Sequence, residues 1–306
     1  MKRNLTNYIK EYGVQLFLSK SLRRIVLSSN SLLAETINSY NEKLVTKKLS
    51  EIFTREKIEE DDLFQVKKDI RYSPIWIMWW QGYDQAPDLV RSCIDVVRSK
   101  NSKHPVIIID KNNYKEYITL PTFIEAKKDQ GIISPTHLSD MIRVCLLYIY
   151  GGIWCDATLL DTQKIPEYIF QEDFYTIKTG FQTKEPSHGE WTTFFMESKP
   201  KNVLMREVAI DHFKFWKNHN ELIDYIMFDY IIRMLVNSNQ KVAQQIKKVP
   251  LNNQLVFELA SYLDTHDTFT KDSIDLFDSD SYLFKLSWKD KRLQRDRVKK
   301  LIDSFN

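Results

Sequence analysis

Between Ser134 and Thr158 the chain writes a helix, a pair of glycines and a short apolar strand that ends on a carboxylate. Ser134-Pro135 fits a helix N-cap followed by proline at the first helical position. Met141, Val144, Cys145 and Tyr148 then recur at the i, i+3, i+4, i+7 spacing of one buried face. Gly151-Gly152 stops the helix, because glycine tolerates the left-handed backbone that helix ends adopt. Ile153-Trp-Cys155 reads as a buried strand, and Asp156 closes it.

The dimensions make the stretch a candidate site. A helix from Asp140 to Tyr150 rises about 15 Å, and a strand from Gly152 to Asp156 advances about 13 Å. If the glycines fold the strand back along the helix, Asp156 returns to the level of Asp140 and Arg143. Those two are i, i+3 neighbours on the first turns. Spacing alone also allows a plainer reading, with an ordinary intrahelical ion pair and a polar residue ending a strand.

The preceding segment supplies a second strand end. Ile75-Trp-Ile-Met-Trp-Trp80 is an apolar run of strand length closed by Gln81-Gly82. A helix over residues 87–99 follows Pro87, and Val106-Ile-Ile-Ile109 is a second buried strand closed by Asp110. Strand, helix, strand at this spacing predicts a βαβ unit and a parallel α/β sheet. Ligands of such sheets bind beyond the carboxyl ends of the strands, where Trp79, Asp110 and Asp156 are expected.

Residues 1–70 are read as a helical N-terminal extension, and 71–306 as the main domain. Leu18, Leu22 and Ile25, interleaved with Lys20, Arg23 and Arg24, suit either a basic amphipathic helix on an anionic membrane surface or a helix packed on the main domain. Glu59-Glu-Asp-Asp62 is expected to be an exposed acidic patch. Residues 173–200 are expected as strands or loops over the sheet edge, with Phe181, His188, Glu190, Trp191 and Phe195 as candidate lining of an acceptor pocket. Helices are expected over 202–218, 221–236 and 254–263. Asp224 and Asp229 are five apart, so at most one should point into a site. A strand is expected over 282–289, and a solvated helix over 289–300.

Composition excludes several classes. The net charge of +3 gives no general polyanion-binding field, so nucleic acid is not an expected partner. Charged residues make up 28% and apolar residues 43%, which is globular composition. Cys93, Cys145 and Cys155 form no even framework, which suggests a reducing compartment. The N-terminus lacks the apolar core of a secretory signal, and no run approaches the roughly 18 apolar residues of a membrane span. A cytoplasmic protein is expected, with possible peripheral contact with the cytoplasmic membrane face. Phosphate-loop, dinucleotide, nucleophile-elbow and zinc-protease motifs are absent from the sequence.

With no evident nucleophile and with acidic residues beside basic ones, the pattern suits a nucleotide diphosphate held with a divalent ion. The motif Ser139-Asp-x-x-Arg143, followed by Leu-Tyr-x-Tyr-Gly-Gly-Ile-Trp-x-Asp156-Ala-Thr158, resembles the capsular polysaccharide synthesis family. That family is related to DXD-containing glycosyltransferases of the GT32 type and, more distantly, to glucosylating toxins. Ile75-Trp-Ile-Met-Trp-Trp-Gln-Gly82 resembles the family's first strand. Phe228-Asp-Tyr230 and Lys285-Leu-Ser-Trp-Lys289 resemble its later landmarks.

The resemblance implies a GT-A-type, mostly parallel α/β sheet flanked by helices. It also implies a sugar nucleotide donor, UDP-linked by expectation, and hexose transfer with retention of configuration to a growing, lipid-linked glycan. Trp79 would stack on the donor base, with Trp80 and Gln81 beside it. Asp140 and Arg143 would contact ribose and sugar. Asp156 would be the first acid of the DXD element, and Asp229 a further catalytic acid. Mn²⁺ or Mg²⁺ would sit on Asp156 and Thr158, although a threonine hydroxyl is a poorer ligand than a second aspartate, and Asp161 is a possible substitute. Lys285, Trp288 and Lys289 would face the diphosphate. The same threonine leaves room for a competing reading, a non-catalytic scaffold or glycan-binding subunit.

Overall fold

The computed structural model of the chain describes residues 5–26, 31–60, 63–266 and 281–290. It begins with three helices, α1 (Leu5–Tyr12), α2 (Val14–Val26) and α3 (Leu32–Arg55). Ser31 caps α3 by accepting the Ala34 N–H at 3.2 Å. These helices have no core of their own. Tyr8, Leu16, Val45, Leu49 and Ile52 belong to the same buried cluster as the central sheet. Lys20, grouped by sequence with solvated basic residues, is instead tied to the buried Asp224 at 3.0 Å. The acidic patch runs into residues 61–62, outside the described residues; its Glu60 receives Arg206 in a bidentate pair at 2.6 and 2.7 Å.

The α/β part opens as expected. Strand β1 (Ile75–Met78), helix α4 (Asp88–Lys100) and strand β2 (Val106–Ile109) form a parallel βαβ unit, with Ile75 opposite Val106 and Met78 opposite Ile109. Helices α5 (Thr122–Asp129) and α6 (Pro135–Tyr150) carry the chain to the other flank of β1. There β3 (Gly152–Cys155) pairs in parallel, with Ile75 opposite Ile153. Strand β4 (Leu159–Asp161) leaves the sheet, and β5 (Phe174–Thr176) and β6 (Phe195–Ser198) complete it. The order is β2-β1-β3-β6-β5, and β6 runs antiparallel to both of its neighbours. The remaining four strands share one direction. The result is a mixed α/β fold with a mostly parallel sheet flanked by helices.

Helices α7 (Val203–Asn218), α8 (Met227–Ser238), α9 (Gln240–Lys248) and α10 (Glu258–Thr265) follow. Strand β7 (Leu283–Lys285) then pairs antiparallel with β4, setting Lys285 opposite Leu159.

The glycine pair does what its spacing predicts. Gly151 and Gly152 have φ of 68° and 90°. The Trp76 indole donates to the Gly151 carbonyl at 2.9 Å, and Ile153 N–H donates to the Pro74 carbonyl at 2.8 Å. A Cβ on Gly152 would fall on that same Pro74 oxygen and lie 2.7 Å from Pro74 Cδ. Only glycine lets β3 begin this close to β1.

Some expectations need correction. Residues 195–198 form an interior strand, not part of the sheet edge. The disguise is Glu197, whose buried carboxyl is pushed up to about 9 by desolvation and is therefore carried neutral. Helix α8 starts at Met227, not near 221, because Asp224 is engaged by Lys20 and accepts the Ile226 N–H at 3.3 Å. The strand expected over 282–289 is only Leu283–Lys285, since Ser287, Trp288 and Lys289 are exposed in a turn. The helix expected over 289–300 lies outside the described residues beyond Asp290.

Candidate functional site

The connection from β1 to β2 leaves in one direction, and the later return to β3 arrives on the other side of β1. That divergence opens a crevice beyond the carboxyl ends of β1 and β3. A cleft of about 530 Å³ occupies it. Trp79, Trp80 and Gln81 come off the end of β1, Trp154 and Asp156 off β3, and Lys285 and Trp288 off β7. Trp79 and Trp288 meet edge to face, with ring centroids 5.7 Å apart and planes at 89°. Thr136 and Ser139 of α6 also line the cleft. Sequence reasoning passed over Thr136 and quoted Ser139 only as the first residue of a motif; the signal for both was their position on the first turns of a helix capped by Ser134, whose Oγ accepts from His137 N–H at 3.4 Å.

Asp156 is the electrostatic centre. Its Oδ1 accepts the Trp154 indole N–H at 2.9 Å and an Arg143 N–H at 3.4 Å. Its Oδ2 accepts from the Lys285 ammonium at 2.8 Å. Burial pushes the carboxyl up, but Lys285 and Arg143 together outweigh burial and hold it below the ordinary aspartate value. Arg143 is itself fixed from several sides. It donates to the Thr193 carbonyl at 2.5 Å, pairs with Asp140 at 3.5 Å, and lies over the Trp154 and Phe228 rings.

The strand has folded back along the helix, and Arg143 sits between Asp140 and Asp156. Asp140 does not line the cleft. It stands behind Arg143, with His137 at 3.5 Å on its other side. Its reach to a ligand runs through the guanidinium.

Lys285 arrives from 129 residues further along the chain. The β4–β7 pairing carries it in, and the Leu286 N–H bonds to the Thr158 carbonyl at 3.0 Å. Its ammonium donates to Thr158 Oγ1 at 2.8 Å as well as to Asp156. Lys289 does not line the cleft; its ammonium lies 5.6 Å from the Trp288 ring centroid, on the rim.

The expected cation ligands can be tested against this geometry. Among the described residues no cluster of three or more His, Cys, Asp or Glu is arranged to hold a metal. Asp156 is, among the described residues, the one carboxylate lining the cleft. Asp161 is no substitute. It is fully buried, receives Asn101 at 3.0 Å, and is pushed up to about 7 by desolvation. Both oxygens of Asp156 are already engaged, Oδ2 by Lys285 and Oδ1 by Trp154 and Arg143, so as they stand these residues present no free carboxylate oxygen to a divalent ion.

A second cleft of about 750 Å³ adjoins the first, and Lys285 lines both. Asp229, Trp191, Phe181, Phe194 and Phe257 line the second. Of the five candidate pocket residues named from sequence, Phe181 and Trp191 are there. Phe195 is buried in the sheet, His188 faces Glu42 at 3.3 Å, and Glu190 pairs with Arg233 at 2.9 Å. Asp229 accepts the Trp191 indole N–H at 2.8 Å; burial, with Glu185 nearby, pushes it up to about 7. Asp224 points into its ion pair with Lys20 instead, so one of the two acids faces a cleft.

A profile of the capsular polysaccharide synthesis protein family matches residues 26–304. The chain belongs to that family. Curated relatives match over a shorter stretch. The O-glycosyltransferase braB of Annulohypoxylon truncatum is 33% identical over 92 residues, 27% of this chain and 22% of that protein. The glycosyltransferase afumC of Aspergillus fumigatus is 30% identical over 95 residues, 28% of this chain and 24% of that protein. The matched stretch thus spans under a quarter of the length of these relatives. Among solved structures, the PaToxG glycosyltransferase aligns over 90% of this chain and 97% of its own, at 10% identity and a TM-score of 0.36.

Proposed function

We propose that this member of the family is a glycosyltransferase that moves a hexose from a nucleoside diphosphate sugar, UDP-linked by preference, to a hydroxyl of a growing cell-surface glycan. The observation that carries the reading is the aromatic cleft at the ends of β1 and β3, with one carboxylate held between a guanidinium and an ammonium. Trp79 offers a flat face suited to a base. Its indole N–H is buried without a partner, so a ligand acceptor would satisfy it. Arg143 and Lys285 supply positive charge where a diphosphate would gather negative charge. The adjoining cleft, with Trp191, Phe181 and Phe257, suits the flat apolar faces of a sugar acceptor.

In the proposed step the bond between the sugar C1 and the β-phosphate oxygen breaks, and its electron pair leaves with the diphosphate. The acceptor oxygen bonds to C1 on the same face, and the hydroxyl proton passes to the departing phosphate oxygen. No side-chain nucleophile is required in this step. The test is Asp156→Asn, assayed by release of UDP from UDP-sugars. Loss of about a hundredfold or more is expected, with circular dichroism unchanged. Full activity in the variant sinks the reading.

The competing scaffold role is favoured by Thr158 and by the internal neutralisation of Asp156. It predicts thermal stabilisation by a glycan, with no nucleotide sugar turned over. The N-terminal helices support peripheral membrane contact by a lipid-linked acceptor's enzyme. Helix α2 buries Leu16 and Ser19 yet exposes Val14, Leu18, Leu22 and Ile25 along one stripe beside Arg24. No helix among the described residues is long and apolar enough to cross a membrane.

A further inference from the structure

We propose that the Lys285 ammonium occupies the cation position of this site, so that the nucleotide diphosphate is bound, and its departure assisted, without a divalent metal. The inference rests on the nucleotide-sugar reading above and adds the identity of the cation. The two side chains that a DXD pattern would give to a metal are Asp156 and Thr158. One nitrogen sits 2.8 Å from an oxygen of each. The remaining oxygen of Asp156 is already engaged by Trp154 and Arg143. A divalent ion would therefore have to displace an ammonium from its best oxygen and settle beside a guanidinium. No second carboxylate among the described residues lines the cleft to compensate.

The lysine is also built in rather than incidental. Its Cα is fixed opposite Leu159 by the β4–β7 ladder, and its backbone N–H donates to the Val256 carbonyl at 2.7 Å. The Phe194 ring lies under the ammonium at 5.4 Å. An ammonium has three N–H donors. Two are committed to Asp156 and Thr158, which leaves one for a phosphate oxygen. Lys285 stands where the two clefts meet, the place where a leaving oxygen and an incoming hydroxyl must come together. Asp156 in this arrangement aims the lysine rather than ligating a metal.

The experiment is calorimetric titration of UDP into the full chain, once with excess EDTA and once with Mn²⁺. The expected result is UDP affinity equal in the two conditions within about twofold. Lys285→Met should weaken binding about tenfold or more in EDTA, the loss of a charge-assisted phosphate contact. Lys285→Asp, which puts a second carboxylate beside Asp156, should bind UDP only with Mn²⁺. Thermal melts of both variants report whether they fold; if neither does, the wild-type pair of titrations still decides. Wild-type binding that requires Mn²⁺ overturns the lysine assignment and leaves the nucleotide-sugar reading standing. No binding of UDP in either condition overturns both.

Discussion

Two glycines of nearly equal φ separate conformational strain from steric exclusion. Gly13 has φ of 87° and nothing within 4 Å of where a Cβ would stand; Gly152 has φ of 90° and would place its Cβ on the Pro74 carbonyl. Either alanine substitution incurs the left-handed penalty of about 1–2 kcal/mol. In both, part of that is offset by the stiffer unfolded chain, worth about 0.4–1 kcal/mol, and this cancels in the comparison. At Gly152 the backbone must also move away from Pro74, adding an overpacking cost of about 1–3 kcal/mol. Losing the Ile153 to Pro74 hydrogen bond adds about 1 kcal/mol. Gly152→Ala should therefore be about 2–4 kcal/mol worse than Gly13→Ala. At about 2 °C per kcal/mol for a chain of this size, the difference in Tm is about 4–8 °C. Calorimetric melts of the two variants in one buffer measure it directly. Equal Tm values for the two would refute the argument that β3 is seated by a close approach only glycine permits. Since β3 carries Asp156, Gly152→Ala should also lose UDP affinity at temperatures where it remains folded, whereas Gly13→Ala should not.

Other predictions address the clefts and the N-terminal face. Trp79→Ala should weaken UDP binding by about 10- to 100-fold, the range of an aromatic platform worth about 1–3 kcal/mol, and unchanged calorimetric affinity would remove Trp79 from the site. For Asp229, the native carboxyl titrates near 7 against an ordinary value of 3.8, so between those values the folded chain holds a proton that the unfolded chain has released. Its contribution to stability accordingly falls as pH rises from about 4 to 7 and levels off above that. Asp229→Asn should abolish this component, so urea melts should show the variant gaining on wild type across that window; a pH-independent difference between them argues against a proton held at Asp229. Leu18→Asp combined with Leu22→Asp should reduce flotation of the protein with phosphatidylglycerol vesicles, and undiminished flotation would take the α2 stripe out of membrane contact.

Much of the first cleft was legible because its determinants are local. Ser134, the helical apolar face, Gly151-Gly152 and the strand to Asp156 specify a helix, a turn and a strand whose lengths match. Helix rise and strand advance then bring Arg143 to Asp156 by arithmetic. The βαβ unit around Trp79 was equally local. What escaped depended on partners far along the chain. Asp140 and Arg143 look alike in sequence, yet the guanidinium reaches the cleft and the carboxylate stands behind it. Glu197 hid an interior strand, because a neutral buried acid cannot be told from a solvated one by residue type. Lys285 read as one of two basic residues near a diphosphate. Its pairing with both Asp156 and Thr158 arises from the β4–β7 ladder, which no spacing rule announces.

That ladder has a consequence for the order in which the molecule comes into being. Thr158 is translated 127 residues before the lysine that bonds to it. Until β7 is made, β4 has an open edge. Leu89, Leu160 and Leu259 lack Phe284 and Leu286, the residues that close their apolar cluster. The nascent chain can assemble its main sheet and its Trp79 face while Asp156 has only one of its two cationic partners. A chain truncated before residue 283 would thus keep Trp79 and Asp156 but leave Asp156 with Arg143 as its cationic partner. Asp156 gains its second cationic partner only after a further 129 residues have been made.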